Sequence, residues 1–188
     1  MRCICGSVQA HVRVPREKTR NAVCYCNDCE EYRQILSENL HSQADLTPSS
    51  GVQIFKKDFQ VTQGKELIEY FSLSPSKKLF RAHSKCCYTP LFLLPNLRAY
   101  PFVICNRTQF ESDKIFGPVT WYFYAIRKWP DAKWPSESPG SKYAMEIPFL
   151  FFVQTLSDVL YGLIAGKGNT KFMNSFSYVD KDTLLQKQ

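Results

Sequence analysis

The stretch Cys24-Tyr25-Cys26-Asn27-Asp28-Cys29 places three thiols within six residues, and its reading decides how the chain is held together. Residues Asn21 to Cys26 read as a short strand. Asn27 is then a good helix cap, Glu30 stands three residues on, and Tyr32, Ile35 and Leu36 share one helical face. Cys29 falls in the first turn of that helix, where backbone N–H groups and the helix dipole favour a thiolate. At such a strand-to-helix turn one ion can collect Cys24, Cys26 and Cys29. Clustering this tight has no packing rationale. The competing reading is a redox pair at Cys26 and Cys29.

Working outward, Cys3-Ile4-Cys5 lies upstream and the adjacent pair Cys86-Cys87 downstream, while Cys105 sits alone in the apolar run Pro101 to Cys105 and reads as core. Zinc takes four ligands in a tetrahedron and accepts thiolate sulfur readily, so seven thiols divide as four plus three. Four sulfurs make a closed, structural site. Three leave one corner for water or substrate, which a zinc enzyme needs. Cys3 and Cys5 require a distant pair, and Cys86 and Cys87 supply it. Neighbouring strand residues point to opposite faces, so that pair needs a turn. His11, His41 and His83 read as ordinary surface or strand residues, with His83 kept as an alternative ligand.

The 188 residues suit one domain with a real core, and 44% apolar with 14% aromatic content excludes disorder. A net charge of +7 favours anionic partners only generically. No block of five like charges occurs and only one Cys-x-x-Cys is present, so nucleic acid is disfavoured. No apolar stretch follows the first residues as a signal peptide would require, and eight thiols suit the cytosol or nucleus, where they stay reduced.

Strands are expected at residues 7–14, 21–26, 52–55, 59–62, 67–73, 78–83, 100–106 and 119–127. A Pro-rich stretch at 128–141 precedes the last element. From Pro148 to Ala165 an amphipathic helix is expected to pack on the domain, its apolar face formed by Phe149, Phe152, Val153, Leu156, Leu160, Leu163 and Ile164. Gln154, Thr155, Ser157 and Asp158 argue against a membrane span. The class is mainly β. The division is 2–140 for a zinc-binding domain, 141–170 for the helix, packed on or beside that domain and able to meet a protein partner, and 171–188 for a loosely held polar tail.

Cys3-Ile-Cys-Gly-Ser-Val, then Cys24-Tyr-Cys-Asn-Asp-Cys, then Ser84-Lys-Cys-Cys-Tyr-Thr-Pro-Leu91 resembles the glutathione-dependent formaldehyde-activating enzyme family, which includes centromere protein V. The family pattern runs CxCGxV, CxCxxC and CxxCGTPL, and the likeness spans about residues 2–135. It implies a β-tent fold, small antiparallel sheets held by two Zn2+ ions. Cys3, Cys5 and Cys87 match structural ligands. The fourth falls at Ser84, a poor ligand, so Cys86 or His83 must substitute, or the site is incomplete. Tyr88 replaces the family's glycine, which implies a differently built turn. Cys24, Cys26 and Cys29 match the open, catalytic zinc site. The implied activity is that of a carbon–sulfur lyase, adding glutathione or another small thiol to formaldehyde to give S-hydroxymethylglutathione, or the reverse. Lys56, Lys57, Arg81 and Lys85 are candidates to meet glutathione's carboxylates. The alternative is a non-catalytic, zinc-stabilised protein-interaction module.

Overall fold

The computed structural model describes residues 1–14, 20–44, 46, 50–76, 78–96, 100–124, 143–144, 149–166 and 176–186. The Pro-rich stretch and the boundary read at residue 140 lie outside them. Among the described residues the fold is mostly β, with a nine-stranded mixed sheet and a separate two-stranded ribbon. The ribbon pairs β1 (Gln9–Val12) with β4 (Phe59–Gln63). The large sheet contains β2 (Asn21–Cys24), β3 (Ser50–Phe55), β5 (Ile68–Phe71), β6 (Leu79–Ser84), β7 (Pro90–Pro95), β8 (Phe102–Asn106), β9 (Trp121–Phe123), β10 (Tyr143–Ala144) and β11 (Ser177–Tyr178). Their order is β10-β9-β2-β3-β8-β7-β6-β5-β11. The central pairs from β3 to β5 are antiparallel, while β2–β9, β9–β10 and β5–β11 run parallel.

Strand alternation divides the sheet into two faces. One carries Val52, Ile54, Phe80, Ala82, Phe92, Leu94, Val103 and Cys105 into the main core, closed from outside by Val8, Ala10 and Phe59 of the ribbon side. The other presents Gly51 and Gln53, Leu79 and Arg81, Leu93, and Ile104. Register aligns Arg81 with Leu93, Leu93 with Ile104, and Ile104 with Gln53.

Helix α1 (Asn27–Gln34) continues into a wider turn over Ile35–Asn39. Its Tyr32, Ile35 and Leu36 pack in a second cluster with Phe71, Val179 and Leu184. Cys26, not Asn27, occupies the position flanking the helix, and no side chain caps it. Asn27 is drawn into the first turn, and Glu30 bonds Arg33 instead of reaching back.

Strand β7 is absent from the sequence reading. It begins and ends in proline and shows no clean alternation, because its residues are covered on both faces. The segment read as a loosely held tail adds β11 to the sheet edge and the short helix α3 (Lys181–Leu185), whose Leu184 is fully buried. Its polar composition hides two apolar anchors, Val179 and Leu184.

Helix α2 (Phe149–Ile164) forms, but it rests on the sheet through the opposite face from the one expected. Phe149, Phe152, Val153, Leu156, Leu160, Leu163 and Ile164 are all exposed. Contact runs instead through Phe151, whose ring meets Trp121 and Phe123 at 5.4 and 4.9 Å, through Asp158, and through Gly162. A Cβ at Gly162 would lie 2.7 Å from Pro101 and 3.0 Å from Phe55, so glycine permits this approach. The half-buried Arg20 claims the polar residues: Nε donates to Asp158 Oδ2 at 2.5 Å, and two further nitrogens donate to Gln154. An ion pair and a glycine seat, together with the Phe151 ring, fix which way the helix faces. No helix of the described residues is long and apolar enough to cross a membrane.

Candidate metal centres

Seven of the eight cysteines gather into two groups. Cys3, Cys5, Cys86 and Cys87 form one, Cys24, Cys26 and Cys29 the other, and within each group every sulfur lies within 4.8 Å of the rest. A tetrahedral zinc with Zn–S near 2.3 Å sets its sulfurs about 3.8 Å apart, so both groups fit the ion with small adjustment.

The four-sulfur group is built by two turns. In the first, Gly6 at φ +78° donates its N–H to Cys3 C=O at 3.0 Å, which folds Cys5 back beside Cys3 with their sulfurs 3.5 Å apart. The second joins β6 to β7 over Lys85–Cys87 and turns Cys86 and Cys87 to the same side. Cys86 Sγ stands 3.3 Å from Cys5 and 3.9 Å from Cys3. Tyr88 holds the left-handed conformation at φ +50°, the backbone region usual for glycine, and its ring lies 5.9 Å from that of His83. Ser84 is buried and hydrogen-bonds Cys87 Sγ at 3.2 Å and the Thr89 N–H at 3.1 Å. Thr89 in turn accepts from Ile4 N–H at 3.1 Å, tying the two turns together. His83 stays outside the group, buried beside Phe71 with Nε2 at 3.7 Å from Glu69. Cys86 therefore stands where the fourth sulfur is needed.

The thiols of this group differ. Burial pushes Cys3 up, and it pushes Cys86 up to about 12. Hydrogen bonds from Ser7 bring the exposed Cys5 down to about 6. Burial also lifts Cys87, but hydrogen bonds from Ser84 and Thr89 overcome it and leave the thiol below its usual value.

The three-sulfur group sits where β2 meets α1. Cys24 ends the strand, Cys26 flanks the helix, and Cys29 lies in its first turn, its N–H donating to Cys26 C=O at 3.0 Å. Cys26 and Cys29 sulfurs are 3.3 Å apart. Hydrogen bonds from Cys24 and Cys29, with the nearby Arg81 guanidinium, hold Cys26 down at about 2. Donation to Cys26 raises Cys24 to about 11, and donation to Cys24 and Cys26, with burial, raises Cys29. Arg81, buried, lies 3.3 Å from Asp28 and 5.9 Å from the centre of the Tyr32 ring.

The trio opens into a cavity of about 450 Å³, lined by Arg20, Ala22, Gln53, Tyr100, Arg81, Phe123 and Phe151 among others. That volume lies within the range of small-molecule pockets, about 300–1,000 Å³. A second cavity, of about 370 Å³, touches only Cys3 of the other group. Of the four basic residues considered for substrate carboxylates, Arg81 alone lines the cavity of the trio. Lys56 is buried elsewhere, its amine lowered by burial, and Lys85 lies in the turn of the four-sulfur group. Cys105 is fully buried core, its thiol raised by burial. Arg20 is not among the site residues expected from sequence. Its signal is the alternation Arg20, Ala22, Cys24, which sends all three to one side of the strand.

No curated protein matches the chain. A solved structure of a Rhodobacter sphaeroides protein is similar at a TM-score of 0.44 and 15% identity, covering 63% of this chain and 94% of that one. The sequence model described as "Family of unknown function (DUF6151)" matches residues 1–171.

Proposed function

The chain belongs to the family of unknown function DUF6151, and we propose that it is a two-site zinc protein whose trio works on a thiol and a small carbonyl compound. The observation that carries this is the pairing of a trio one ligand short of a tetrahedron with a cavity large enough for a substrate. The likeness of its cysteine motifs to the glutathione-dependent formaldehyde-activating enzymes, and with it the β-tent architecture, supports the same reading.

A zinc ion held by Cys24, Cys26 and Cys29 would supply a Lewis-acid corner at which a substrate thiol loses its proton. The surrounding residues then have defined tasks. Arg81 brings one buried positive charge beside Cys26, compensating the excess negative charge of three thiolates. Tyr32 holds that guanidinium against its ring and anchors itself by donating to Ala82 C=O at 3.1 Å. Phe123 and Phe151, in contact with each other, give the cavity an apolar wall. The reaction adds one thiol to one formaldehyde and gives one S-hydroxymethyl adduct. A C–S bond forms, the carbonyl π bond breaks, and the thiol proton ends on the former carbonyl oxygen.

Cys3, Cys5, Cys86 and Cys87 form the closed, structural site in this reading. The test is metal analysis, with two zinc ions expected per chain, followed by the rate of S-hydroxymethyl adduct formation with and without the zinc-loaded protein. An unchanged rate with every thiol tried removes the catalytic reading. The outward apolar stripe of α2 favours the second reading, an interaction module, in which zinc would stabilise and nothing more.

A further inference from the structure

Resting on that reading of the trio, we propose that its ligand is an uncharged aromatic or branched aliphatic monothiol, not a peptide thiol carrying several charges. The walls carry the argument. Leu79, Leu93, Ile104, Tyr100, Phe123 and Phe151 surround the cavity with apolar surface. Both cations that reach it are already engaged. Arg20 is held by Asp158 and Gln154 of α2, and Arg81 by Asp28. Asp28 itself lines the cavity and would repel a carboxylate. Glutathione would bring two carboxylates and an ammonium into this space with no uncommitted cation among the described residues that line it. A buried charge without a partner is costly, whereas a phenyl or isobutyl group gains from the same walls.

The cavity's polar provision is small, and its amide is already turned to the wall. Gln53 is more than nine-tenths buried, its Nε2 donates to Tyr100 Oη at 3.1 Å, and its Oε1 is buried without a hydrogen-bond partner. Ile104 packs directly over Gly51, where a Cβ would lie 2.7 Å from its Cγ2, so glycine permits this part of the apolar wall.

The experiment replaces zinc with Co2+ in the full chain. The cobalt absorption bands are then followed while 2-phenylethanethiol or glutathione is added at equal thiolate concentration. The aromatic thiol is expected to half-saturate the spectral change at a concentration at least tenfold below that of glutathione. Glutathione binding equally well or better would overturn the ligand class while leaving the open site intact. Failure of both thiols to alter the spectrum would remove the open site itself, and this inference with it. Leu79→Arg adds a cation to the wall and is expected to narrow the preference. A folded, cobalt-loaded variant with an unchanged preference would show that the wall does not select.

Discussion

The two sulfur groups use the same ligand atom for opposite mechanical ends. The four-sulfur group joins residues 83 positions apart along the chain, binding the amino-terminal loop to the β6–β7 turn. The trio spans six residues, already juxtaposed by one strand-to-helix turn. An ion at the first closes a long loop and removes freedom from the unfolded chain, so its binding energy appears as folding stability. An ion at the second has little chain to hold. What it would offer in the proposed reading is an open corner, and the 450 Å³ cavity lies there, lined by all three sulfur-bearing residues.

The sharpest break between the two is mutational. Cys86→Ser is expected to cost one zinc ion and on the order of 4–5 kcal/mol of stability, the scale of losing a structural metal, read by metal analysis and denaturant unfolding. Cys26→Ser is expected to cost one ion as well, yet lower stability only within roughly 0.5–3 kcal/mol, as an ordinary substitution does, while thiol binding disappears. Equal destabilisation by both would erase the distinction between the sites.

Two smaller effects refine the contrast. Arg81→Met is expected to weaken zinc at the trio about 10- to 100-fold, the range for loss of an outer partner, without changing the four-sulfur site. Competition with a chromophoric chelator measures both affinities, and an equal change at both sites would deny Arg81 its local task. Proton counting is finer still. Cys24, raised to about 11, and Cys29, also raised, keep their protons at neutral pH, whereas Cys26, held at about 2, has none to lose. Zinc must therefore displace protons from the raised thiols of the trio, and affinity there falls as the solution is acidified. Calorimetry of the Cys86→Ser variant in two buffers of different ionisation heat gives the count. A value near zero would contradict the arrangement of hydrogens among the three sulfurs.

Cysteine spacing makes the sulfur groups legible, because Cys-x-Cys and Cys-x-x-Cys fix local geometry before any tertiary contact forms. The helix behind Cys29 is legible from its 3.6-residue pattern, although its cap lies one residue earlier than the pattern places it. The cavity is not legible. Each strand contributes only one or two residues to it, and the row from Arg81 through Leu93 and Ile104 to Gln53 exists only once register is set. The orientation of α2 is the reverse of the expected one for a related reason. Hydrophobic periodicity identifies an apolar stripe correctly but says nothing of an arginine more than a hundred positions away that grips the polar side.

Gly162 and Arg20 together seat α2 so that Phe151 completes the enclosure above the sulfurs. The clustered sulfurs and this one wall of their cavity thus come from different stretches of polypeptide, the first near the start and the second in the last quarter. Substitutions along the seating face of the helix can retune which molecule fits without touching any sulfur.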